Sequence, residues 1–285
     1  FIFIYIYNYA MAMSGIPIKK VYIDSRFKTK DSKSDSEFKY ELVQSIQLPD
    51  KCAMFLDDVI IPVSWFNVDE DNKYIYIRRF EDLTNTRTDR IVPIEVSNHT
   101  FDSLTESLQE GLDTVYGSNI FTVSYDARKL TISIQAESQS EVKLFTDEEL
   151  KGANDWSGPA YNSSDLKSAN ELLGNYRTQS LTSQTFESGI VDLRRFHNVY
   201  ISSANLSTFQ TLGPRGECNI IKKIPVTTEY GFTIIDNIVV SHDWIDVSKQ
   251  LLKTLEFKLS DAYGRNINLR GMPISFSLIF MQQSD

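Results

Sequence analysis

The sequence predicts a mainly β protein of antiparallel sandwiches, two β domains with a short covering helix on one of them. Three observations carry that expectation. Aromatic residues fill 12% of the 285 positions, with 17 Phe and 14 Tyr, side chains that suit a pleated, half-buried surface. Alternation of apolar and polar residues recurs from end to end, the period of a strand with one wet face. Helical periodicity is strong in only one stretch. The length allows two domains, or one sandwich with a large insertion.

The chain opens on FIFIYIYNYA, ten residues without charge. This run lacks the basic start of a signal peptide and is too short to cross a bilayer as a helix. Residues 1–13 have two readings. One is leader translated ahead of a start at Met11 or Met13, since these residue types share AT-rich codons. The other is an arm, led by Phe1, Ile2, Phe3 and Ile4, that adds a strand to a neighbouring subunit's sheet, because a strand apolar on both faces is stable only when both are covered.

Ile16 to Asp24 reads as the first strand, and Ser25 to Glu37 as a polar loop too hydrophilic to pack, hence mobile. Phe38, Tyr40 and Leu42 alternate along the next strand to Leu48. Pro49-Asp50 then turns the chain into Cys52–Pro62, whose final proline fits a strand end or an edge. In Ser64-Trp65-Phe66-Asn67-Val68 the two aromatics read as one core and one rim residue, with Trp65 a packing anchor that could also serve an interface. Asp69-Glu70-Asp71-Asn72 lacks the alternate carboxylates, Gly and closing Glu of a calcium loop, and reads as a solvated hairpin tip before the strand Lys73–Ile77.

The one clear helix of the N-terminal half lies within Ser97 to Leu112. Thr100 or Asn98 can cap it, Asp102 suits its positive end, and Phe101, Leu104, Leu108 and Leu112 make one apolar stripe to lay over a sheet. Phe121–Tyr125 and Leu130–Ile134 form a hairpin around Asp126–Lys129. From residue 148 the chain turns rich in Ser, Asn, Gly and charge, with a helix-capable piece at Ser164 to Leu173 ended by Gly174. Residues 148–187 are therefore the expected linker between an N-terminal domain, 14–147, and a C-terminal domain, 188–285. Strands resume at Gly189–Leu193, Asn198–Ser202, Asn219–Pro225 and Phe232–Val240. The close is a hairpin: Leu255, Phe257 and Leu259 alternate on one run and Ile274, Phe276, Leu278 and Phe280 on the other, around Asp261-Ala262-Tyr263-Gly264 and Gly271. Strands, helix and strands within the N-terminal half are compatible with a jelly-roll decorated by a helix.

The chemistry-bearing residues are sparse. A net charge of −9 opposes non-specific binding to nucleic acid, which rests on lysines and arginines displacing counterions. Cys52 and Cys218 are too few for a disulfide framework and fit a reducing compartment; each reads as a small buried hydrophobe. Two thiols and three scattered histidines have no zinc spacing, and no metal or cofactor is expected. His99, His197 and His242 supply no triad, and adjacent His242 and Asp243 on a strand point to opposite faces. Leu212-Gly213-Pro214-Arg215-Gly216 looks like a phosphate-binding turn, yet it lacks a following helix and a Lys-Ser/Thr pair, and Pro removes an amide; it reads as a surface loop. Two basic doublets, Arg78-Arg79 and Arg194-Arg195, end strands. They are solvated strand ends or, in the sharper reading, meet acidic surfaces of neighbouring subunits.

The ending LEFKLSDAYGRNINLRGMPISFSLIF resembles the C-terminus of the minor capsid, penton-like proteins of Maverick/Polinton elements and of their virophage, polinton-like and related large DNA virus relatives. FLDDVIIPVSWFNVDEDNKYIYI (Phe55 to Ile77) is similar to an N-terminal motif of the same group, and Val199 to Val226 adds a third block. The resemblance implies jelly-roll-like sandwiches and a structural, non-enzymatic subunit of a virion capsid, penton or cement in type. It also implies oligomerisation and, as partners, a double jelly-roll major capsid protein and other minor capsid subunits. Two other classes stay open, a receptor- or glycan-binding sandwich that would expose Trp65, Trp156 or Trp244, and a hydrolase with a histidine poised in a cleft.

Overall fold

The computed structural model describes residues 17–152, 155–177, 183–206, 211–238 and 243–282. The first strands are β1 (Pro17–Asp24), β2 (Glu37–Gln47), β3 (Cys52–Pro62), β4 (Tyr74–Glu81) and β5 (Thr86–Pro93). Helix α1 (Phe101–Tyr116) leads to β6 (Phe121–Asp126), β7 (Thr131–Ala136), β8 (Ser140–Leu144) and the short helix α2 (Asp147–Lys151). The rest carries β9 (Thr185–Glu187), β10 (Asn198–Ser202), β11 (Ile220–Pro225) and β12 (Thr233–Asp236). β13 (Ile245–Asp246), β14 (Leu251–Ser260) and β15 (Ser275–Gln282) complete it. The fold is mainly β, and every ladder between these strands is antiparallel.

The chain divides into two compact units, but not in series. The first joins the residues up to Trp65 with those from Phe196 onward, and the second is Phe66–Arg195. No boundary falls at 147/148. Residues 155–177 and 183–187 of the expected linker belong to the second unit, where Thr185–Glu187 is a strand paired to β7.

In the first unit one sheet runs β1-β15-β3-β12, with β13 also on β3, and the other runs β11-β10-β14-β2. Numbered in chain order without the short β13, the two sheets read 1-8-3-6 and 2-7-4-5, the strand order of a jelly roll. Alternation fixes which side chains turn inward. Ile23, Phe38, Met54, Leu56, Ile201, Leu255, Phe257, Phe276 and Phe280 from both sheets share one core. Phe257 stands edge-on to Phe276 at 4.8 Å between ring centroids. Burying each such ring stabilises the sandwich by about 1.5–3 kcal/mol.

The expected closing hairpin does not form. β14 pairs with β10 and β2, while β15 pairs with β1 and β3, so the two strands lie in opposite sheets. The segment between them crosses the sandwich and buries Ile267 and Leu269 in its core. Alternation specifies the face a strand presents, not its partner. The loop after β1 is likewise tied down rather than mobile. Ser25 is fully buried, its amide donates to the Ile274 carbonyl at 2.9 Å and its Oγ accepts from the Ile274 amide at 3.0 Å. Lys28 and Asp35 pair across the same loop at 2.6 Å.

The second unit has two three-stranded sheets, β5-β4-β8 and β6-β7-β9, bridged where the Val142 amide donates to the Ser183 carbonyl at 2.8 Å. Helix α1 covers them. Thr100 caps it through Oγ1, accepting from the Ser103 amide at 3.2 Å, and Leu104, Leu108 and Leu112 are fully buried. Ser164 to Leu173 is not helical. Asn170 instead donates to the Phe145 carbonyl and to Asp147 Oδ1, holding turns against the sheet. Gly189 to Leu193 is no strand either. A Cβ on Gly189 would come within 2.4 Å of the Gly174 carbonyl oxygen, so two glycine backbones are in contact where a strand was expected. Asp69–Asn72 is a turn with Glu70 and Asp71 in solvent as expected, but Asn72 is buried and donates to the Asn67 carbonyl at 2.8 Å.

Candidate assembly surfaces

β4 is covered on both sides. Ile75 and Ile77 enter the core under α1, while Tyr76 joins Phe145, Leu150, Trp156 and Tyr161 on the other face. Arg78 shares that second face, which places it inside. It is 4% exposed and holds Asp89 through Nε at 2.7 Å and Nη2 at 2.8 Å, with Nη1 2.5 Å from Asp155 Oδ2 and Nη2 2.6 Å from the Asp155 carbonyl. Asp89 also accepts from the Ser157 amide at 2.7 Å. Burial alone would push the Asp89 carboxyl up, but the bonds from Arg78 and Ser157 outweigh it and hold it below the usual carboxylate range. Hydrogen bonding to Asp89 raises Arg78 further still, against its own desolvation. This is an internal clamp that fastens residues 155–157 to the sheet.

The other expected interface residues divide. Arg195 is 5% exposed in its side chain and grips Asp69 at 3.0 and 3.3 Å. Arg79 bonds Glu137 and lies 3.6 Å from Glu81; its Nε is buried without a partner. Trp65 is 6% exposed, in the first unit's core and edge-on to Phe196 at 5.6 Å. Arg194 alone of the four arginines stands in solvent, 66% exposed and paired with Asp192. Arg78, Arg195 and Trp65 are thus internal side chains, because each sits on a face that neighbouring segments cover. Phe1, Ile2, Phe3 and Ile4 lie outside the described residues.

No catalytic arrangement is assembled among the described residues. His99 is buried, with Nε2 2.7 Å from the Glu95 carbonyl and Nδ1 3.3 Å from Ser103 Oγ, and His197 is exposed; His242 lies outside the described residues. Burial pushes the Cys52 thiol up, away from reactivity, and Cys218 is half-buried. Among the described residues no group of three or more His, Cys, Asp or Glu could hold a metal, and no helix is long and apolar enough to cross a membrane. In the 212–216 loop the Arg215 amide already donates to Glu217 Oε2 at 2.9 Å, so a carboxylate of the chain itself occupies the place of an anion. Trp65 is in the first unit's core, Trp244 stacks on Phe55 with ring centroids 6.0 Å apart, and Trp156 stands edge-on to Tyr76, Phe145 and Tyr161 in the second unit.

Open surface lies elsewhere, in the first unit. Two adjoining cavities of about 260 and 230 Å³ lie along β2, β10 and β14, sharing Ser202, Asn219 and Lys258. Their walls mix Lys33, Lys39 and Arg215 with Asp31, Glu37 and Glu217, a pattern selective for neither sign of charge. The far edge of the other sheet is apolar. Ile235 of β12, 68% exposed, faces its register partner Ile60, 39% exposed, and Phe232 and Ile238 are exposed beside it. Asp236 is drawn off by Lys222 of β11, whose Nζ lies 3.2 Å from Oδ2 and donates to the Ile238 carbonyl at 2.9 Å. The sequence reading missed this edge, although the run Phe232-Thr233-Ile234-Ile235 with no adjacent lysine was visible in it.

No known family model matches the sequence, and no curated protein does. Among solved structures the chain is similar to the selenomethionine-labelled mavirus penton protein, with a TM-score of 0.54 and 9% identity over 93% of this chain and 100% of that one. At that identity the likeness is one of fold.

Proposed function

We propose that the protein is a structural minor capsid subunit, penton-like, that builds an icosahedral shell by non-covalent assembly with copies of itself and with a double jelly-roll major capsid protein. The observation that carries this reading is the jelly-roll strand order of the first unit, in a chain whose fold matches a penton protein over that protein's whole length. The mechanism is geometric. Two sheets locked over one core make a stiff wedge, and wedges repeated about an axis need only complementary edges to close a ring. The jelly roll is a recurrent solution for capsids because its strands are mostly paired and its short edges can be offered selectively.

Co-expression with a major capsid protein from the same genome tests the reading. Cryo-electron microscopy of the resulting particles should place this chain's density at the fivefold vertices. Density between capsomers would assign a cement position instead, and particles that form without incorporating the chain would remove the capsid role.

A further inference from the structure

We propose that the β12 edge of the first unit is the acceptor for an N-terminal strand, residues 1–10, contributed by a second copy of this chain; the inference rests on the assembly reading and names its partner. Among the described strands of the first unit, the two-residue β13 aside, four are outer, and three of these are guarded. β1 carries Lys19 and Lys20 and a register shift between Pro17 and Lys19. β2 carries Lys39 and Glu41, and its pairing shifts register opposite Leu252–Thr254. β11 carries the exposed Lys223 and Pro225, its Lys222 being turned inward onto Asp236. Lysines, prolines and bulges are the devices by which natural sheets prevent edge-to-edge pairing. β12, four residues long, has no lysine, proline or bulge. It pairs with β3 in unbroken register, its carboxylate is neutralised by Lys222, and Phe232, Ile235 and Ile238 are each exposed by 65% or more.

The occupant follows from composition and place. FIFIYIYNYA carries no charge and alternates Ile with aromatic residues, a strand that needs a hydrogen-bonding edge and apolar cover. Residues 11–16 join this run to Pro17, where β1 begins. β1 and β12 are opposite ends of the path β1-β15-β3-β12, about 14 Å apart at strand spacing. A segment leaving one end and received at the other gives a head-to-tail contact, the kind that closes into rings.

Complementation in the full chain tests it. Ile235→Lys spoils the acceptor and leaves the donor; Ile4→Lys spoils the donor and leaves the acceptor. Wild type should form a closed oligomer by native mass spectrometry, and each variant alone should dissociate at a concentration about tenfold or more above it. An equimolar mixture of the two should form heterodimers, since one intact contact remains. Ile190→Lys, an equally exposed site in the second unit, should change nothing. A monomeric wild type, an Ile235→Lys oligomer like wild type, or a mixture that stays monomeric because each copy fills its own edge, overturns the proposal. Normal incorporation of both variants into shells refutes this contact and leaves the capsid reading standing. An oligomer formed through this edge that never enters shells does the reverse.

Discussion

The leading arginines of two doublets that look alike in the sequence have opposite fates in the structure. Arg78 is an internal ion whose fork is matched by the Asp89 carboxylate; Arg194 lies in solvent beside Asp192. Removing Arg78 leaves Asp89 charged and buried, a loss of about 3–5 kcal/mol, whereas an exposed pair contributes about 0–1 kcal/mol. Arg78→Met should therefore lower the urea midpoint sharply and Arg194→Met hardly at all; similar losses from both would refute the distinction. The same clamp sets an acid limit. The Asp89 carboxyl is held below its unfolded value, near 3.9, so its stabilisation is complete above about pH 4 and is lost as pH falls through the lower folded value. Urea titrations of wild type and Asp89→Asn should differ most at neutral pH and converge as pH falls through the folded value. Which arginine is internal was not legible, because the residues that cover it, 155–161, have the Ser, Gly and Pro composition of a linker.

At the scale of elements, the sequence specifies local structure and leaves strand pairing open. The α1 stripe of Leu104, Leu108 and Leu112 and its Thr100 cap stand as the spacing implies, as do β10 and the β6–β7 hairpin. β5, TRTDRIVP, and β8, SEVKL, escaped because their inward residues are few and flanked by charge. The C-terminal alternation was right about faces and wrong about partners, since the cost of a long crossover is invisible to a period-2 pattern. One contact tests how closely α1 must approach its sheet. A Cβ on Gly111 would lie 2.4 Å from the Pro93 carbonyl oxygen and 2.9 Å from Val92 Cγ1. Ala is the better helix former by about 1 kcal/mol, and overpacking against backbone costs about 1–3 kcal/mol. The overlap is with a carbonyl that β5 cannot readily move, so the clash wins. Gly111→Ala should lower the melting temperature; a rise would mean that the helix has room to shift.

At the scale of the molecule, the second unit is an insertion between β3 and β10 of a jelly roll. The length permitted that reading, yet composition drew the boundary at residue 148, where Ser, Asn and Gly gather. The true crossings, Trp65-Phe66 and Arg195-Phe196, are aromatic and resemble core. They resemble it because they are partly core: Trp65 and Phe196 meet with ring centroids 5.6 Å apart, so the chain leaves the jelly roll and returns to it at nearly one point. The first unit's described ladders, β1 to β15 and β3 to β12 among them, all form without the inserted residues, and the described side chains of its core are its own. Replacing residues 66–195 by a Gly-Ser linker of about five residues, which spans roughly 15 Å, should therefore leave a folded jelly roll. The expected protein, carrying Trp244→Phe so that Trp65 is its one indole, unfolds cooperatively in urea, with fluorescence still that of a buried indole and a smaller denaturant slope for its smaller surface. A fragment without a cooperative transition, or with Trp65 exposed, would mean that the inserted unit supplies stability the strand pairing does not reveal.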